Sequence, residues 1–105
     1  MISPRTIEQI KNILPAECEC EQIILFGSEA RGTADNNSDV DILVISKNIQ
    51  DRLTLMRRLR RKLRSIPRDI DILAITPEEY ERDRQIFGTL ARYASQDGKV
   101  IYASR

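Results

Sequence analysis

Two stretches of this sequence crowd carboxylates together, Asp39-Val40-Asp41 and Asp69-Ile70-Asp71. Residues two apart on a strand point to the same side, so Asp39 and Asp41 project together from the start of one strand. Carboxylates so placed repel unless a cation lies between them. Hard divalent ions with oxygen ligands fit that arrangement, magnesium above all when phosphates complete its shell. A third carboxylate from a neighbouring strand completes a site for two magnesium ions, one activating an acceptor oxygen and the other holding a triphosphate. Asp71 is preferred for that place because its sequel, Ile72-Leu73, matches the sequel of Asp41. Asp69 has the same parity and is the competing choice. Upstream, Gly27-Ser28 lets a backbone approach a ligand closely, with the N–H groups that follow and the Ser28 hydroxyl as donors to phosphate. Arg31 is a charge-assisted donor to the same phosphates. No histidine exists to act as a base. None is required if metal and carboxylate lower the acceptor's pKa.

Strands and helices of an α/β chain must position these groups. Ser3-Pro4 reads as a helix start, with Ile7, Ile10, Ile13 and Leu14 at helical spacing up to Pro15. Cys20 to Phe26 is a buried strand ended by a turn at Gly27, and a short helical turn over Ser28–Gly32 and a polar loop over Thr33–Ser38 follow it. Asp39 to Ile45 is the second strand. Asp51 caps a basic helix whose apolar stripe is Leu53, Met56, Leu59, Leu63 and Ile66. Asp69 to Ile75 is the third strand, repeating the second thirty positions later. Such a pair is expected of neighbouring strands that hold carboxylates at one rim of a sheet. Thr76-Pro77-Glu78-Glu79 opens a final helix that turns Tyr80, Phe87, Leu90, Ala91 and Ala94 inward. Val100-Ile101-Tyr102 reads as a terminal strand or docked tail.

The bulk numbers bound the answer. The 105 residues, 41% hydrophobic and 31% charged, make a globular chain and not a disordered or fibrous one, expected to form one domain over residues 1–105. No apolar stretch approaches a membrane span and no leader pattern opens the chain, so the expected location is the cytoplasm. Cys18 and Cys20 lack the further Cys or His of a zinc tetrad and read as reduced thiols at a strand entrance, not as a metal or redox site. The net charge of +1 does not argue for nucleic acid. The segment from Arg52 to Arg68 is rich in Arg and Lys without any acid, and reads as a solvated helix face. Tyr80, Phe87 and Tyr93 read as core and not as a base-stacking platform, so direct nucleic-acid binding is not expected.

Gly27-Ser28, ten intervening residues, then Asp39-Val40-Asp41 resembles the signature of the DNA polymerase beta-like nucleotidyltransferase superfamily. Within it, Gly27-Ser28-Glu29-Ala30-Arg31-Gly32 followed by Ser38-Asp39-Val40-Asp41-Ile42-Leu43-Val44 is similar to the minimal nucleotidyltransferases. The resemblance continues through Asp71, Thr76-Pro77-Glu78-Glu79-Tyr80 and Gly98-Lys99-Val100-Ile101-Tyr102. It implies a mixed sheet flanked by helices and Mg-dependent transfer of AMP from ATP. The matching site positions are Gly27, Ser28, Asp39, Asp41 and Asp71. It implies also a partner, since such proteins are commonly encoded beside a helical HEPN-domain toxin, a ribonuclease, and act as antitoxin by transferring AMP to one of its tyrosines. A chain this short is expected to have its acceptor presented by another protein. Two rival readings stand beside this one. The first is an antibiotic-type transferase acting on a small molecule, which usually needs helical structure additional to that found here. The second is a non-catalytic antitoxin acting by burial alone, against which the retained Asp39, Asp41 and Asp71 weigh.

Overall fold

A computed structural model of the chain describes residues 2–27 and 39–104. The expected helical turn and polar loop after Gly27, with Ser28 and Arg31, lie outside the described residues.

The first helix, α1 (Pro4–Ile13), starts where the Ser3 hydroxyl accepts from the Thr6 N–H at 3.2 Å. Its last turn tightens into a 3-10 turn, Leu14–Ala16, around Pro15. Strand β1 (Glu19–Phe26) then pairs antiparallel with β2 (Val40–Lys47). Helix α2 (Arg52–Lys62) returns the chain to β3 (Ile70–Ile75), which lies parallel to β2. Two short helices follow, α3 (Pro77–Asp83) and α4 (Leu90–Asp97), before β4 (Lys99–Ala103) pairs antiparallel with β1. The four-stranded mixed sheet has the order β3-β2-β1-β4.

Both sheet faces are covered, which explains the unbroken apolar runs in β1 and β2. Ile23, Leu25, Ile42, Val44, Ile70 and Ala74 pack on one face against Ile10 and Leu14 and against Leu55, Leu59 and Leu63 of α2. Ile24, Phe26, Leu43, Ile45 and Ile75 pack on the other against Tyr80, Ala91 and Ala94 of α3 and α4. The chain is thus a three-layer α/β sandwich. Among the described residues no helix is long and apolar enough to cross a membrane.

The structure corrects two expectations. On α2 and the turns that follow it the buried residues are Leu55, Leu59, Leu63 and Ile66, while Leu53 is 61% exposed. A 3.6-residue period accommodates either set. The Asp51 cap, which accepts from the Thr54 N–H at 3.2 Å, sets a rotation that sends Leu53 outward. The helix expected to run from Pro77 through Ala94 is broken in two. Gly88 adopts a left-handed φ of 92°, and Thr89 caps a new helix by accepting from the Arg92 N–H at 3.1 Å. The break leaves Phe87 88% and Leu90 49% exposed, where both were expected inside, and Tyr93 is half-exposed as well.

Candidate functional site

The carboxylates converge because of register. In the parallel pair, Asp41 of β2 stands opposite Asp71 of β3, and in the antiparallel pair it stands opposite Phe26, the last residue of β1. By strand parity Asp41 and Asp71 share the face of Leu43 and Ile75, the layer of α3 and α4. Asp39, just before β2, has the same parity. Across this end of the sheet the order of groups is therefore Asp71 on the edge strand, Asp41 inside it, and the Gly27 turn on β1.

Gly27 meets Asp41 directly. Its φ of 76° lies in the left-handed region, and a Cβ built there would overlap Asp41 Oδ2. The missing side chain thus makes room for the carboxylate as well as for a tight turn. Beside the turn lies a cavity of about 240 Å3 lined by Phe26, Gly27, Tyr93 and Asp97. Sequence reasoning did not single out Tyr93 and Asp97 for this place. The signal available was the Gly88-Thr89 break, which frees α4 from the register of α3.

Asp41 is half-buried, while Asp39 and Asp71 are exposed. Burial pushes the Asp41 carboxyl above its ordinary range, and repulsion from Asp71 and then Asp39 adds to the shift. Asp69 is not among the causes. Its carbonyl oxygen accepts from the Val40 N–H at 2.8 Å, which uses its backbone to extend the parallel ladder. Among the described residues no group of three or more acidic, Cys or His side chains is drawn close enough to hold an ion as it stands. The donor chemistry nonetheless suits a hard divalent cation: every candidate ligand is a carboxylate oxygen, and the part of the Asp41 shift that comes from Asp71 and Asp39 is repulsion of the kind a cation relieves.

The sequence matches the family model described as Polymerase beta, Nucleotidyltransferase over residues 8–104. The chain therefore belongs to the polymerase beta nucleotidyltransferase family. A Methanocaldococcus jannaschii protein described as a candidate protein adenylyltransferase is 70% identical over 30 residues. That match spans 29% of this chain and 20% of the relative's length. Among solved structures, the spectinomycin adenyltransferase AAD(9) of Enterococcus faecialis, with ATP and spectinomycin, is similar at a TM-score of 0.73 and 19% identity. The likeness covers 99% of this chain and 57% of that one. The tri-AMPylated HEPN toxin of Shewanella oneidensis in complex with its MNT antitoxin is similar at 0.62 and 20% identity, over 95% of this chain and 71% of that one. At these identities the two structures speak for the shared fold.

Proposed function

We propose that this chain, acting as one domain over residues 1–105, is a Mg-dependent nucleotidyltransferase that moves AMP from ATP to a protein hydroxyl. The observation that carries the reading is the placement of Asp41 between the Gly27 turn and Asp71, with Asp39 on the same parity. In this reading Asp39, Asp41 and Asp71 are the metal ligands and catalytic carboxylates, and Gly27, Ser28 and Arg31 bind the nucleotide. Two magnesium ions so held would neutralise the triphosphate and lower the pKa of the acceptor hydroxyl.

The chain's own groups divide the labour by position. Gly27, on an inner strand, leaves space for a phosphate to approach the backbone next to Asp41. Asp71 lies on edge strand β3, open to an incoming acceptor, where its carboxylate would orient the hydroxyl and accept its proton. Asp39 and Asp41 keep negative charge concentrated on the layer of α3 and α4.

The acceptor we infer is a tyrosine of a HEPN toxin, with this chain as the antitoxin. Support comes from the likeness to the Shewanella complex of HEPN toxin and MNT antitoxin and from a surface of this chain. Ile86, Phe87, Leu90 and Tyr93 are all exposed on the turn before α4 and on α4 itself, and Tyr93 also borders the Gly27 cavity. Clustered exposed apolar groups mark a protein contact more often than a small-molecule site.

Ligand binding to the folded state tests the site. MgATP at roughly 100-fold over its Kd is expected to stabilise the chain by about 2.7 kcal/mol. Asp39→Asn/Asp41→Asn protein is expected to lose that gain in a thermal melt. An equal gain in both proteins would count against the site.

A further inference from the structure

At the far end of the sheet from the carboxylates, two thiols lie two residues apart, one of them at the wall of a cavity that the transferase reading leaves unused. Cys20 pairs with Ser46 and Glu19 with Lys47, which places them at the start of β1 and the end of β2. Phe26 and Asp41 pair at the other end. Cys18 occupies the bend before β1, two residues from Cys20, so both side chains lie on the sheet face covered by α1 and α2. Cys20 is buried, whereas Cys18 is half-buried and lines a cavity of about 400 Å3 together with Ser46, Asp51, Thr54 and Arg58.

The cavity beside Cys18 carries charges of both signs, Glu19 and Asp51 with Lys47 and Arg58, and the Arg58 guanidinium is held in place. Arg58 of α2 donates to the Glu17 carbonyl at 2.7 Å and lies 3.9 Å from the Glu17 carboxylate. That anchors a guanidinium beside the residue preceding Cys18. The Cys18 thiol donates to the Leu14 carbonyl at 3.7 Å and the Cys20 thiol to the Gln22 carbonyl at 3.6 Å, and the neighbouring Cys20 thiol is the largest influence on the Cys18 sulfur. Ser46 and the Arg58 charge act in the same direction, against burial and Glu17, and Cys18 is lowered to about 7 while Cys20 is raised. A half-buried thiol whose pKa is drawn below the ordinary cysteine value is a better nucleophile than an ordinary one, and a second thiol two residues away is available to resolve its oxidised form.

From this geometry we propose that Cys18 and Cys20 form a peroxide-reactive dithiol, with Cys18 as the attacking sulfur at the Arg58-lined cavity and Cys20 as the resolving one. The Cys18 thiolate attacks one oxygen of a hydroperoxide. An S–O bond forms, the O–O bond breaks and hydroxide or alkoxide leaves, so sulfur is oxidised to the sulfenic acid as the peroxide is reduced. Cys20 sulfur then attacks the sulfenic sulfur. The S–S bond forms, the S–O bond breaks, and the departing hydroxide takes the Cys20 proton as water. Two residues of extended chain span about 6.6 Å, near the upper limit of Cα separations that a disulfide accepts. A disulfide at that limit is strained, and strain favours ready reduction by cellular thiols.

The test uses the full chain and hydrogen peroxide at pH 7.4, followed by intact mass and by dimedone trapping. Wild type is expected to lose two hydrogens in mass and both titratable thiols, reversibly with dithiothreitol. Cys20→Ser, which keeps a hydroxyl donor beside Cys18 and removes the resolving sulfur, should instead accumulate one dimedone adduct that maps to Cys18. Cys18→Ser should react at least about tenfold more slowly, and Arg58→Gln should fall between it and wild type. Wild-type thiols that oxidise no faster than free cysteine would overturn the proposal. So would a Cys20→Ser protein that traps no dimedone at Cys18.

Discussion

Asp41 stands half-buried beside the Asp71 and Asp39 carboxylates, and each of those influences opposes its charge. In the ion-free protein that charge is a destabilising element, because unfolding returns it to water and separates it from its neighbours. Asp41→Asn is therefore expected to raise the melting temperature measured in EDTA. A lower midpoint would contradict the repulsion account. Gly27 carries a second consequence at this scale. Any Cβ there must both occupy a left-handed backbone and displace the Asp41 carboxylate, so Gly27→Ala is expected to cost about 1–3 kcal/mol. Denaturant midpoints equal to wild type would refute that. Larger side chains at Gly27 consequently disturb the carboxylate before any nucleotide arrives, and lost ATP binding in such a variant does not isolate the phosphate turn. The parity of Asp39, Asp41 and Asp71 was legible in the sequence because the strand period is fixed by covalent geometry. The contact of Gly27 with Asp41 was not, because it depends on which strands pair and in what register.

Among the elements, α3 is anchored by chemistry visible in Thr76-Pro77-Glu78-Glu79. The Thr76 hydroxyl accepts from the Glu79 N–H at 3.2 Å, and Glu79 Oε1 accepts in return from the Thr76 N–H at 2.9 Å. Arg52, the first residue of α2, adds a two-pronged contact to the same carboxylate at 2.7 and 2.8 Å. It ties together helices that cover opposite faces of the sheet. The Thr76 backbone bond first, then Arg52, hold the Glu79 carboxyl below its ordinary range. A lowered folded-state pKa contributes stability that is present above the ordinary glutamate value and is lost as pH falls through the lowered one. Wild type should thus lose more stability than Glu79→Gln between pH 7 and acid, as read by urea midpoints. Parallel pH profiles would contradict the coupling. Thr76→Ala is expected to cost about 1 kcal/mol at neutral pH. The cap was readable because its parts are adjacent in sequence. The rotation of α2, which buries Leu55 in place of Leu53, was not, since Leu53 and Leu55 both satisfy a helical stripe. Phe87 was misplaced for a related reason: an apolar period was carried through Gly88-Thr89, although glycine followed by threonine is itself a stop and a cap.

For the molecule as a whole, the near repeat of Asp39–Ser46 in Asp69–Thr76 turned out to be a pair of adjacent parallel strands, with Asp41 opposite Asp71. Similar strands serve this purpose because a parallel pair presents equivalent positions at the same level. The order β3-β2-β1-β4 then leaves the Asp71 strand at an edge and sets Gly27 further in, which in the proposed function gives acceptor and nucleotide separate sides of approach. Neither the order nor the exposed cluster of Ile86, Phe87, Leu90 and Tyr93 could be read from periodicity, since both follow from how the helices are cut and laid on the sheet. The central claim is transfer, and the most direct measurement is the intact mass of the protein encoded beside this chain, after the two are purified together and incubated with ATP and magnesium. The partner should gain the mass of one or more AMP units with wild type and none with Asp71→Asn, while both forms of this chain still associate with it. An unmodified partner with wild type, together with full neutralisation of its toxicity by Asp39→Asn/Asp41→Asn protein, would contradict the account.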